Sequence, residues 1–549
     1  MKSSLFAAAL AATACLAACV EIDQTLGGTM IPVSNTYKIV TPEPISIGVS
    51  QKMADSLSGF SDSRITIGSI RKDDEFGLTT RASVVSLVPL FDSDFDMGTD
   101  RIFKSMNFQS ALDSISVEDE AQADIIQSVN VYEALRPVSY TKDVSCNASF
   151  PHGTARVSRG IPVITGNSDS LSFHFTSEFG NRYLQMTDAD RADFSAYMKK
   201  YPGIYLETSE PLGQGGRINI FDLQLDYDSD YSYVAGNYAE LVYSAVFDGE
   251  RKDTSVCFYF SATDFYDLDS LAENSGTGNF PQYCLNLTGH DNARSRARAG
   301  KAGETVLIEG GGGLKPVISA VELRKAMLDA ISANGDDPSV AIINRASLNF
   351  HYEQDPSFEK MYKLPEILSP TCRIAGDTTV TFMGLTDASS SEEDQGDRNL
   401  SLYTFNPDIT YHAQELINMS EDNAGLLRGS YDIWLLIMHN DLKTTTTSGN
   451  SEISQYYQYL AYQSYMGNMY GGYGGYGYGY GYGGYGSSYS NYYNYAMLAQ
   501  MYGSSTTSTS SETNLDRDRY YYCRLYGPEA SDESLRPTLT FTYSVPRGE

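Results

Sequence analysis

One cysteine near the start of the chain stands in a sequence that would direct its acylation. Cys19 ends residues 16–19 (LAAC), which match the bacterial lipobox. In that motif the thiol is diacylated, and the cysteine then becomes the new N-terminus. Lys2 and the apolar run 5–18 supply the charged and hydrophobic parts of a signal peptide. The sequence predicts a lipoprotein signal peptide over 1–18 and a lipidation site at Cys19.

Two other interpretations of this leader are weaker. It could be an ordinary secretory signal peptide with an incidental cysteine. Cys15 is a poorer acylation candidate, because Ala12 stands where a branched residue is expected. The leader is too short to span a bilayer, and no other uncharged apolar run is long enough. We therefore expect an exported, lipid-anchored protein in which residues 19–34 form a tether.

Motifs that would indicate catalysis are missing. The sequence contains no HExxH, no GxSxG and no GxxxxGK[ST]. Carboxylate pairs are plentiful, but their abundance in an acidic chain does not identify a glycosidase pair. We predict no catalytic residue, no cofactor and no enzymatic activity. The histidines are scattered, at His152, His174, His290, His351, His412 and His439.

Two acidic runs have part of the spacing of a calcium loop. Residues 226–230 (DYDSD) alternate as its first ligands do, but Tyr231 and Asn237 replace the required glycine and glutamate. Residues 92–96 (DSDFD) fail in the same way. We predict acidic turns and no metal ligands, and a structural Ca²⁺ in a loop remains the alternative.

The charge of the chain excludes some partners. The net charge of −30 becomes −31 without residues 1–18, which carry Lys2 and no acid. Such a chain repels nucleic acid, so none is expected as a partner. The basic stretch 286–303, which includes Arg298 and Lys301, is either a linker or an anion site.

Five cysteines follow the lipidation site, and an odd number cannot all pair. Their spacing contains no CxxC, so zinc ribbons and redox motifs are not indicated. Cys257 and Cys284 either form a disulfide or are buried free thiols. The five are Cys146, Cys257, Cys284, Cys372 and Cys523.

Short alternating runs predict a mainly β protein with few helices. Residues 170–176 alternate cleanly, with His174 on the polar face, and residues 305–309 read as another strand. Helices are expected only over about 187–200 and 320–334. We expect two jelly-roll-like β-sandwich domains, over 35–300 and 301–549. Alternatively, 286–304 is a loop within one continuous body.

A low-complexity insertion over 453–511 interrupts the second predicted domain. Residues 456–502 contain 17 tyrosines and 11 glycines, and no charged residue lies between Glu452 and Glu512. So regular a pattern does not favour a unique packed core. The tract is either a disordered surface insertion or an aromatic surface that contacts sugars or proteins.

Several short stretches, taken in their order along the chain, carry a resemblance to a known family. They are Gly68-Ser69, residues 73–79 (DDEFGLT), Ala82-Ser83, residues 203–206 (GIYL), residues 215–219 (GGRIN), Gly310–Gly313 with Lys315, and residues 343–348 (INRASL). Together they resemble the Bacteroidota lipoprotein family filed as domain of unknown function 4270. No catalytic residues are known for that family, so the resemblance carries none over.

Two further segments, residues 346–348 (ASL) and 536–543 (RPTLTFTY), read as strands of one layout. That layout is similar to DNRLRE-type jelly-roll modules, in which these would be the matching strands. The chain lacks the RFDL-like run of those modules, so the similarity concerns the fold alone.

These observations favour a non-catalytic outer-membrane lipoprotein. Glu21 and Asp23 follow Cys19 closely, as in lipoproteins of that phylum that face the cell exterior. We expect a binding or scaffold subunit of an envelope complex, for outer-membrane protein assembly or export, with an outer-membrane protein partner. The alternative is a glycan-binding or adhesive surface lipoprotein.

Overall fold

The computed structural model describes the chain from residue 37 to residue 547, with gaps. Cys19, the tether 19–34 and most of the insertion 453–511 lie outside the described residues. The described ranges are 37–54, 56–72, 76–90, 96–138, 144–223, 225–228, 233–260, 263–266, 282–290, 298–355, 357–361, 363–375, 380–387, 395–446 and 507–547.

Antiparallel strands dominate the described residues, which confirms the mainly β fold class. The first group is β1 (Tyr37–Val40), β2 (Ile45–Ser46), β3 (Ser50–Met53), β4 (Phe60–Ser61), β5 (Arg64–Arg71), β6 (Leu78–Val85), β7 (Leu87–Leu90), β8 (Thr99–Ser116), β9 (Gln127–Ala134), β10 (His152–Arg156), β11 (Val163–Ile164), β12 (Ser170–His174), β13 (Ile204–Thr208), β14 (Gly215–Asp222), β15 (Leu225–Asp228), β16 (Tyr233–Gly236), β17 (Tyr238–Phe247), β18 (Glu250–Phe260) and β19 (Cys284–His290). The second is β20 (Gly300–Lys301), β21 (Thr305–Glu309), β22 (Leu314–Ile318), β23 (Ile342–His351), β24 (Ile367–Ala375), β25 (Val380–Gly384), β26 (Arg398–Asn399), β27 (Thr404–Phe405), β28 (Ile433–Thr446), β29 (Thr507–Leu515), β30 (Tyr522–Tyr526) and β31 (Thr538–Pro546).

The helices of the described residues are short. The longest is confirmed where the sequence predicted it, and Ser319 caps it by accepting a hydrogen bond from Glu322 N. The single helix predicted over 187–200 is instead two helices, because Asp193 caps a second start by accepting from Ala196 N. The helices are α1 (Ser177–Leu184), α2 (Asp188–Arg191), α3 (Phe194–Lys200), α4 (Ala320–Ala333), α5 (Phe358–Met361), α6 (Thr410–Asn418) and α7 (Ala424–Leu427).

The first lobe comprises β4–β19 with α1–α3 around one apolar core. Its main sheet runs β10-β9-β13-β6-β5-β14-β8-β17-β18-β7, and β19 and β12 lie beside β6 and β8. Strand β12 shows the predicted alternation, because Leu171 and Phe173 are buried while His174 is exposed. Aromatic rings fill much of this core, for example Phe108 stacked between Phe173 and Phe260.

The second lobe comprises β1–β3 and β20–β31 with α4–α7 around a separate core. One sheet runs β1-β31-β23-β27-β26, and another runs β20-β3-β22-β28-β24-β25 with β29 on β28. Leu323, Met327 and Ile331 of α4 are buried in this core at helical spacing. Strands β21 and β30 form a separate pair.

The first described strands belong to the second lobe, which corrects the predicted domain start at residue 35. Strand β1 pairs with β31 from Tyr37↔Pro546 to Val40↔Tyr543, and β3 pairs with β20 and β22. The second lobe is therefore discontinuous in sequence. A four-residue strand carries no local signal that identifies a partner about five hundred residues away.

Candidate functional site

The two lobes meet at a buried boundary, which we call the interlobe seam. Small apolar clusters there contain residues from both lobes. One joins Leu436 to Leu57 and Cys146, and another joins Tyr520 to Ile70. In a third, Phe76 packs with Leu307 and Leu314. The seam is therefore packed as an interior.

A glycine turn of the second lobe forms the centre of the seam. Lys315 of β22 is 1% exposed, and its Nζ donates to the carbonyl oxygens of Glu309, Gly311 (2.9 Å) and Gly313 (3.3 Å). Burial lowers the pKa of Lys315 to about 7, while Glu309 acts in the opposite direction. The lysine thus holds the turn 310–313 closed from within.

The glycines of this turn allow the first lobe to approach closely. Asn147 Nδ2 donates to the carbonyl oxygen of Gly312 at 3.0 Å. A Cβ at Gly313 would lie 2.9 Å from His290 Cε1, and Gly311 adopts a φ of 54°. Larger residues would separate the lobes here. The run Gly310–Gly313 with Lys315, quoted above for the family resemblance, therefore has a structural use at this boundary.

Two basic side chains of the first lobe face this turn. Arg81 is 1% exposed, and its Nη2 donates to Arg519 O of the second lobe at 3.4 Å. His290 Nδ1 lies 3.5 Å from Thr79 Oγ1, and burial together with Arg81 and Lys315 lowers the pKa of His290 well below its usual value. Within the described residues, Arg81 Nε and His290 Nε2 have no hydrogen-bond partner. His290 is therefore neutral at pH 7.

A turn over 516–519 completes the polar part of the seam. Asp516 Oδ1 accepts from the backbone N–H groups of Asp518 (3.0 Å) and Arg519 (3.1 Å), and its Oδ2 accepts from Arg519 Nη1 at 2.7 Å. Burial acts to raise the pKa of Asp516, but Arg519 and these N–H groups lower it overall. Arg517 Nη1 donates to Ser58 O at 2.7 Å and so fastens the turn to the other side of the seam.

The cavity of the seam admits no substrate. Its volume is about 10 Å³, which suits one water molecule, and Cys146, Thr288 and Asp518 are among its lining residues. Burial raises the pKa of the Cys146 thiol, so the thiol is a poor nucleophile at neutral pH. The contacts of this arrangement hold the two lobes together.

The described residues of the two acidic runs with partial calcium-loop spacing make ordinary strand and turn contacts. Asp226 and Asp228 lie in the β15–β16 hairpin, and Asn237 Oδ1 accepts from Ala111 N at 2.6 Å, as a strand-fixing group would. Asp96 Oδ1 accepts from Gly98 N at 2.8 Å, as in an acidic turn. Over the described ranges, no three His, Cys, Asp or Glu side chains form a group that could hold a metal ion.

The five cysteines after Cys19 are free thiols, so the alternative of a Cys257–Cys284 disulfide is wrong. Burial raises the pKa of Cys257 and Cys372 to about 12.

In the basic stretch 286–303, Arg298 O accepts from Gln51 Nε2 at 3.0 Å and Lys301 lies in β20. These contacts fit the linker interpretation for the described part of that stretch.

The insertion is carried by a β-hairpin of the second lobe. Ile433, Leu435 and Ile437 of β28 are buried in the core, and from Met438 onward β28 pairs with β29. The last pair is Thr446↔Thr507. The chain therefore leaves and re-enters the described fold at neighbouring positions.

Sequence patterns did not reveal the seam residues Arg81 and Lys315, because charged residues in strands are usually exposed to solvent. The tetrad Gly310–Gly313 was the one local signal for these positions.

No helix among the described residues is both long and apolar enough to cross a bilayer. Comparisons of this chain with protein-family models, with curated proteins and with solved structures found no match.

Proposed function

We propose that this chain is a non-catalytic outer-membrane lipoprotein, anchored through Cys19, that faces the cell exterior as a binding or scaffold subunit of an envelope complex. The complete lipobox supports the anchor, and Glu21 and Asp23 support the orientation. Membership of the family filed as domain of unknown function 4270 is part of this proposal. It rests on the ordered stretches quoted above.

The β28–β29 hairpin is the observation that carries the scaffold role. A body of two lobes is fastened at a buried seam, and the sequence between its paired strands β28 and β29 contains the tyrosine-rich tract. Tyrosine offers rigid, amphipathic contact area at a low entropic cost. Such a tract supports binding to an outer-membrane protein of assembly or export machinery.

Metabolic labelling with a clickable palmitate tests the anchor. The wild-type protein should be labelled and Cys19→Ala should not, whereas equal labelling of both would exclude lipidation at Cys19. Protease shaving of intact cells tests the orientation. The proposal of surface exposure fails if this protein is spared while a known surface lipoprotein is cut.

Purification of the native protein from detergent-solubilised outer membrane tests the partner. Stoichiometric recovery of a β-barrel protein with wild type, and its loss on deletion of 456–502, is the expected result. The second candidate function is a glycan-binding or adhesive lipoprotein, which the same tyrosine tract supports. A protein recovered alone that binds a glycan array would favour that candidate.

A further inference from the structure

A groove of about 440 Å³ opens on the second lobe where α6 begins beside the first residues of β23. We call it the α6 groove. Its volume lies in the range of small-ligand sites. It is formed by described residues of the second lobe. Its lining includes Ile342, Asp387, Asp408, Thr410, Tyr411 and Gln414.

One wall of the α6 groove is aromatic and aliphatic. Tyr411 is 56% exposed and Ile342 is 47% exposed, although both line the same concavity. Exposed large apolar side chains that converge on a concave surface mark a binding site more often than scattered ones do. This wall can accept the apolar face of a ring.

The polar wall is fixed by hydrogen bonds. Asp387 accepts from the backbone N–H groups of Tyr411 (2.6 Å) and His412 (3.1 Å), which holds the Tyr411 backbone in place. Asp408 Oδ1 accepts from Thr410 N at 2.8 Å. Gln414 Oε1 accepts from Ile343 N at 2.7 Å. The groove is therefore preformed, because the backbone of its first helical turn is anchored on both sides.

The charges of this wall discriminate between ligand classes. The N–H groups of the first turn of α6 already offset the charge of Asp387 and Asp408. Burial, with Asp408 adding to the effect, nevertheless raises the pKa of Asp387, so further negative charge is unfavourable here. A carboxylate has about four acceptor positions, and Asp408 uses one of them in the hydrogen bond to Thr410. Neutral hydroxyl donors match this wall.

We propose that the α6 groove binds a neutral saccharide. The sugar ring packs on Tyr411 and Ile342 while its hydroxyl groups donate to Asp408. Anionic saccharides are disfavoured by the acidic wall and by the net charge of −30. This site goes beyond the scaffold role and depends on neither the lipid anchor nor the tyrosine tract.

Isothermal titration of the full-length protein in detergent tests the site. The probes are neutral hexasaccharides of glucose, mannose, galactose and N-acetylglucosamine, with a hexagalacturonide as the anionic comparison. Wild type should bind at least one neutral probe saturably below about 10 mM and should not bind the anionic one. Tyr411→Ala should weaken binding about tenfold, whereas Tyr411→Phe should retain it. Asp408→Asn should weaken it while keeping an acceptor for Thr410 N.

Tyr37→Ala is the matched control, because Tyr37 is 54% exposed but does not line the groove. It should leave the affinity unchanged. The proposal is overturned if no neutral probe binds, or if wild type and Tyr411→Ala bind equally. If binding survives Tyr411→Ala but disappears on deletion of 456–502, the saccharide binds to the tyrosine-rich tract and the proposal of a groove site is wrong. Failure to recover a β-barrel partner would contradict the scaffold role, but it would not affect the proposal that the α6 groove binds a saccharide.

Discussion

The side-chain amide of Asn147 in the first lobe donates a 3.0 Å hydrogen bond to the carbonyl oxygen of Gly312 in the second. The fit leaves no room for a side chain, since a Cβ at Gly312 would lie 2.1 Å from Asn147 Oδ1. The lobes therefore meet at a glycine, and the buried Lys315 fixes its two neighbours by donating to the carbonyl oxygens of Gly311 and Gly313.

Gly312→Ala should destabilise the protein by about 2 kcal/mol, because the added methyl group forces Asn147 out of the seam. Urea unfolding measures the change. Gly213→Ala is the control, since a Cβ at Gly213 would meet nothing within 4 Å. Equal stability of Gly312→Ala and wild type would contradict the close packing of Gly312 against Asn147.

Lys315→Met should cost roughly 2–4 kcal/mol, because the buried carbonyl oxygens of Glu309, Gly311 and Gly313 lose their donor. The exposed Lys325 on α4 provides the control, and Lys325→Met should change the free energy of unfolding by about 0.5 kcal/mol or less. Similar effects of the two substitutions would contradict the role of Lys315.

His412 should make stability depend on pH between about 4 and 6.5. Burial lowers the pKa of His412 from 6.5 to about 4, and its Nε2 lies 3.0 Å from Tyr431 O. In this window the unfolded chain binds a proton that the folded protein does not, so the free energy of unfolding falls as pH falls. The loss should reach about 3 kcal/mol.

Urea unfolding at several pH values, compared between wild type and His412→Gln, measures this dependence. The variant should lack the extra loss of stability below pH 6.5, while other groups titrate alike in both proteins. Parallel pH profiles would show that His412 does not titrate as its burial implies.

Deletion of 456–502 should leave the melting temperature nearly unchanged. Strands β28 and β29 still pair through Thr446↔Thr507, and closure entropy varies slowly with loop length, so the change is about 1 kcal/mol or less. Differential scanning calorimetry measures it. A large loss of stability would mean that the tyrosines pack into the second core.

Elements with complete local signals were predictable from sequence. Residues 305–309 form a strand with the predicted bounds, and α4 begins after the cap Ser319 and ends before Asn334. Strand β8 has a weak local signal, because its residues before 113 mix polar and apolar types on both faces. Its extended conformation is instead fixed by hydrogen-bonded pairing with β12, β14 and β17.

The seam and the α6 groove could not be predicted, because both depend on distant segments coming together. Arg81 and Lys315 lie in strands of different lobes, and their burial follows from the docking of those lobes. Asp387 caps α6 from outside the helix, a role that the sequence around Thr410 does not reveal. Local pattern therefore identified elements, while the sites arise from tertiary contacts.

The interlobe seam should make the two lobes unfold as one cooperative body, and two probes in one urea titration test this most directly. Trp434 is the only tryptophan and is buried in the second lobe, so its fluorescence reports that lobe. Cys284 is buried in the first lobe, so pulsed alkylation followed by mass spectrometry reports the other. We predict coincident midpoints for the two probes. Separate midpoints would contradict the seam as the element that joins the lobes.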